Sequence, residues 1–206
     1  MRIATVDWNS VDDVLGAVAE AVEADGRVLL LFDSGLSALH ESFIAAFARE
    51  VRRKEGRLIH VDGKKATSRE TFYAECRKAI PLASYMGSNL DAVADVLRGE
   101  ALSERRDKKT CWVWTDAHLL YAGDVESFSQ FFEVMVSSAR LTSHGDPQNP
   151  EQHRQPVAVV LTGLWEIFGA EAMREDSFLF RFGLPASTST FPDRQTGLTV
   201  FRVPHH

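Results

Sequence analysis

The sequence predicts an α/β protein built on a parallel sheet, and two observations lead there. Val28 to Phe32 and Val157 to Leu161 are continuous apolar runs of strand length, the composition of strands covered by helices on both faces. Such runs alternate along the chain with segments whose apolar residues recur at i, i+3, i+4 and i+7, the period of an amphipathic helix.

In chain order, Arg2 to Val6 reads as an edge strand. A helix follows, capped by Ser10 with Asp13 three residues on, apolar at 11, 14, 15, 18 and 22, and stopped by Asp25-Gly26. After the apolar strand, Asp33-Ser34-Gly35 turns into a helix from about Leu36 to Lys54, with Phe43, Ala46, Phe47 and Val51 inward, closing on Glu55-Gly56. The strand Leu58 to Val61 completes a strand-helix-strand crossover. A helix from Ser68 to Ile80 comes next, then a short acidic helix beginning at Ser88 or Asn89. Glu100 to Lys109 reads as a solvated connection. Beyond it lie a strand from Cys111 to Thr115, a helix from Asp124 to Ala139, and a polar loop over 140 to 155 that carries Gly145, Pro147 and Pro150. Val157 to Leu161 is followed by a Thr162-Gly163 turn into a helix, Leu164 to Arg174. Phe178 to Phe182 alternates only in part, and Leu198 to Val203 has the alternation of an edge strand.

The chain has 206 residues, enough for a sizeable core. No linker-like stretch interrupts residues 54 to 57, so a single domain is expected. Net charge is −6, which argues against a nucleic-acid surface and suits a basic protein partner. No signal-like or membrane-spanning run is seen, and Cys76 and Cys111 fall inside elements as core residues; a cytoplasmic setting is expected.

The stretch Tyr85 to Gly99 organises the rest. Apolar residues at 90, 93, 94 and 97 form one helix face, Ser88 and Asp91 have capping-box spacing, and Gly99 fits a C-terminal stop. Asp91 and Asp95 are four residues apart, so two like charges share a face at a cost of roughly 0.2–0.5 kcal/mol. Capping accounts for Asp91 and leaves Asp95 unexplained. A solvated helix face is one reading, an anion-presenting surface the other.

The string Y-x-G-x-N-L-D-A-x-x-D-x-L-x-G resembles the barstar family, intracellular inhibitors of barnase-type microbial ribonucleases. Arg57 to Gly63, the helix from Ser68, and the later strand, helix and strand also match, so the resemblance covers roughly residues 57 to 163. It implies a barstar-like core extended by an N-terminal β-α unit (1–56) and a C-terminal helix with edge strands (164–206). It implies a bacterial immunity-type inhibitor whose partner is a basic ribonuclease or toxin nuclease domain. Asp95 would mimic a phosphate, Asp91 would form a neighbouring salt bridge, and Tyr85, Gly87, Asn89 and Gly99 would belong to the docking surface. The family's further acidic contact aligns with Val134, beside Glu133. Met86 and Ala94 stand where relatives usually carry an aromatic.

Chemistry of other kinds is absent from the pattern. Asp33-Ser34-Gly35 lacks a phosphate-loop lysine, with Ala38-Leu39-His40-Glu41 in its place, and an N-cap role suits Asp33. No nucleophile elbow or histidine ligand spacing occurs, so no enzyme, metal or cofactor is expected. Trp112 and Trp114 read as core. One alternative remains: the strand pattern, with Asp116 in a metal-holding position and Thr162 near a sensor, resembles a degenerate P-loop ATPase serving as a non-hydrolytic regulator or scaffold.

Overall fold

The structure, a computed structural model, describes residues 2–5, 16, 28–33, 38–80, 87–97, 110–144, 157–164, 167 and 198–203. Among the described residues, six strands form one sheet: β1 (Arg2–Thr5), β2 (Val28–Asp33), β3 (Arg57–Asp62), β4 (Thr110–Thr115), β5 (Val157–Leu164) and β6 (Leu198–Val203). The order is β1-β6-β2-β5-β4-β3, and every pairing is parallel. Five helices are described: α1 (Ala38–Arg53), α2 (Arg69–Ala79), α3 (Leu90–Leu97), α4 (His118–Gly123) and α5 (Val125–His144).

This is the expected α/β fold, with changes at its margins. Arg2–Thr5 is an edge strand as expected, whereas Leu198–Val203 is not: it lies between β1 and β2. Alternation suggested one wet face, but β6 has hydrogen-bonded neighbours on both sides, a long-range pairing to which local pattern is blind. Thr162-Gly163 does not turn; β5 runs on to Leu164 because β2 pairs with it through Asp33. Residues 140–144, expected to open a loop, instead continue α5 to His144, and the rest of the expected loop, 145–155, lies outside the described residues. The helices expected over 10–24 and 164–174 and the segment 178–182 lie outside the described residues, apart from Gly16, Leu164 and Ile167.

The core follows from strand alternation. Ile59, Val61, Trp112, Trp114, Val159 and Leu161 line one sheet face and pack with Phe72, Tyr73, Cys76, Val93, Val96, Leu97, Leu120, Phe128 and Phe132 of the helices above it. The alternate residues Cys111, Val113, Ala158 and Val160 are also buried, so β4 and β5 are covered on both faces. Ala46, Phe47 and Val51 of α1 are buried outside that first cluster, and α1 packs against β3. Phe72 stacks on Phe131 with ring centroids 3.9 Å apart and sits 4.7 Å from Trp114, tying α2 and α5 to β4. Trp112 and Trp114 are therefore core fillers, and Cys76 and Cys111 are buried and not joined in a disulfide. Among the described residues, no helix is long and apolar enough to cross a membrane.

Candidate functional site

Helix α3 is held between its neighbours by Val93, Val96 and Leu97, which are buried with the residues of α2 and α5, and it packs directly on α5. Its polar residues face outward: Asp91 and Asp95 are exposed, as are Gly87, Ser88 and Asn89 before it. The sequence therefore places two carboxylates one turn apart on the outer face because the three apolar residues commit the opposite face to the core.

The cap differs from the expected box. Asn89 Oδ1 accepts the Ala92 N–H at 2.7 Å, and the Asn89 carbonyl accepts from Val93 at 3.4 Å. Asn89 is thus the first cap, one residue later than Ser88, and Asp91 lies within the first turn, where negative charge suits the helix dipole. The Ser88 hydroxyl instead accepts from Arg77 Nη1 of α2 at 3.0 Å. Gly87 lies against the cap: a Cβ there would stand 3.2 Å from Asn89 Nδ2. Gly87, Asn89, Asp91 and Asp95 are thereby gathered at one helix and its entry. Glu133 is exposed on α5, the helix on which α3 packs. Tyr85 and Gly99 lie outside the described residues, as does Met86. Ala94 is buried, 7% exposed, so it adds nothing to the outer face.

A second cluster lies at the carboxyl ends of β3, β4 and β5, the rim where open parallel sheets bind ligands. Asp116 is buried and takes a left-handed backbone, φ 49°; its N–H donates to Thr162 Oγ1 at 3.2 Å, and the Thr162 carbonyl accepts from Ala117 at 2.9 Å. His60 Nε2 is 3.2 Å from Thr115 Oγ1 beside it. Among the described residues, no group of three or more His, Cys, Asp or Glu side chains is disposed to hold a metal ion. Sequence reasoning found Asp116 and Thr162 but missed Arg77, which no motif marks and only the packing of α2 beside the α3 entry reveals.

The family model described as Barstar (barnase inhibitor) matches residues 56–161. No curated protein matches the chain. Among solved structures, the Aeropyrum pernix ORC2 protein (ADPNP-ADP complexes) is similar in fold, with a TM-score of 0.53 at 6% identity over 94% of this chain. The chain spans 46% of that protein's length.

Proposed function

The chain belongs to the barstar family, and from that premise we propose that it is a stoichiometric inhibitor of a barnase-like ribonuclease. The observation that carries this reading is the outward pair Asp91 and Asp95 on a helix inside the matched region. A ribonuclease cleft is built from cations that bind phosphate. A rigid helix offering carboxylates substitutes for the substrate through charge-assisted hydrogen bonds and performs no reaction itself. Asp95 takes the phosphate's place and Asp91 pairs with a neighbouring cation. Asn89 and Gly87 form the adjoining contact, with Tyr85, Gly99 and Glu133 completing the surface. The net charge of −6 steers a basic partner inward. Such an inhibitor works inside the cell that carries it, in the cytoplasm, against its own or a rival's nuclease.

Isothermal titration against barnase tests the reading. Saturable 1:1 binding is expected, weakened at least about 30-fold by Asp95→Ala, the loss of about 2 kcal/mol typical when one member of a buried charge pair is removed. Circular dichroism would establish that the variant is folded. No binding by the parent chain, or equal binding by the variant, overturns it.

A second reading, a non-hydrolytic regulator or scaffold on a P-loop-like frame, is supported by the six-strand order and by Asp116 beside Thr162 at the carboxyl rim. Saturable ATP binding lost on Asp116→Asn, without affinity for barnase, would favour it.

A further inference from the structure

We infer that Arg77 is a positioning residue for the acidic end of α3, acting through Ser88. This rests on the inhibitor reading for its consequence, though not for its geometry. Arg77 is in the last turn of α2, where any cation suits the helix dipole. Its Nη1 is nevertheless committed sideways, donating to Ser88 Oγ at 3.0 Å across eleven residues of sequence. Ser88 directly precedes Asn89, whose side chain caps the Ala92 amide. The guanidinium, anchored in a helix that contributes Phe72, Tyr73 and Cys76 to the core, thus fixes the exposed entry from which Asp91 projects.

The bond carries a built-in opposition. A hydroxyl acceptor leaves the guanidinium charge in place, so Arg77 holds the docking helix in one geometry while setting a cation at the end that must attract a basic partner. Rigidity slows release, and like charge slows arrival. Removing the acceptor alone separates the two effects, because Ser88→Ala leaves the charge and abolishes the bond.

The test uses the full chain, with amide exchange followed by NMR and barnase binding by stopped flow. Ser88→Ala and Arg77→Met should each speed exchange of the Ala92 amide by about five-fold, the worth of one hydrogen bond, with the Phe131 amide unchanged. The double variant should go no further than either single one, and Arg77→Lys should restore part of the protection. Both single variants should speed dissociation from barnase, whereas only Arg77→Met should raise the association rate at low salt. Unchanged Ala92 exchange in Ser88→Ala, or additive effects in the double variant, overturns the inference. Should barnase fail to bind the parent chain, the inhibitor reading falls, and Ala92 exchange still decides the positioning role.

Discussion

Asn89 Oδ1 lies 2.7 Å from the Ala92 amide nitrogen, and this one contact starts the helix that displays Asp91 and Asp95. The helix has only eight residues, too few to persist without its cap and its buried face. Asn89→Ala should destabilise the protein by about 1 kcal/mol, read as a lower urea midpoint with unchanged slope. Asn89→Asp should retain most of that stability, since a carboxylate caps equally well. An Ala variant as stable as the parent would mean that the side chain does not cap the helix.

Gly63 follows β3 where the backbone of β4 turns. A Cβ at this position would fall 2.0 Å from the Thr115 carbonyl oxygen and 2.7 Å from the Asp116 carbonyl carbon. Both obstacles are backbone, held by β4 pairing and by the Thr162 hydroxyl. Gly63→Ala should therefore cost about 3 kcal/mol, the upper end of ordinary overpacking, measured by urea denaturation.

Phe72 is fully buried and touches the rings of Tyr73, Trp114 and Phe131. Phe72→Ala should cost about 3–5 kcal/mol through lost transfer energy and the cavity left behind. Phe72→Leu should recover part of this. The α3 face rests on the same core, so the Ala variant should also loosen Val93 and Leu97, visible as faster amide exchange there than at β5.

Asp124 precedes α5 and accepts from the Ser127 N–H at 3.0 Å. Hydrogen bonding from Ser127, side chain first and then backbone, holds its carboxyl below the ordinary carboxylate value. A depressed folded value means that the unfolded chain binds the proton more readily. The stabilisation is then complete above about pH 4 and is lost as pH falls through the folded value. The stability difference between the parent and Asp124→Asn should shrink from pH 5 towards pH 3. A difference independent of pH over that range would show that the ionised carboxylate contributes nothing.

Burial pushes the Cys76 thiol well above its ordinary value. Thiolate is the reactive form, so neither Cys76 nor the buried Cys111 should react with a thiol reagent in the native protein at pH 8. Both should titrate at once in denaturant.

Periodicity made several elements legible before any coordinates. The helix expected from Ser68 is α2, which Ser68 caps; the strand expected over Leu58 to Val61 is β3; and the helix expected from Asp124 is α5. The cap of α3 was legible only to within one residue, because Ser88 and Asn89 both accept hydrogen bonds and the choice depends on Arg77 approaching from another helix. Asp91 and Asp95 could be placed on one helix face by counting alone; their exposure follows from Val93, Val96 and Leu97 packing with α2 and α5.

Local pattern in the sequence carries the six described strands, the helices α1, α2, α3 and α5 and the parallel character of the sheet, but not α4, since these rest on contacts a few residues apart and on the composition of doubly covered strands. Tertiary structure alone decided the strand order. It put Leu198–Val203 beside β2, carried β5 to Leu164, set Asp116 against Thr162 and brought Arg77 to Ser88. Each of these pairings joins residues that lie eleven to well over a hundred positions apart. Their energies come from burial and hydrogen bonds that form only once the sheet has closed, so local preference carries no trace of them.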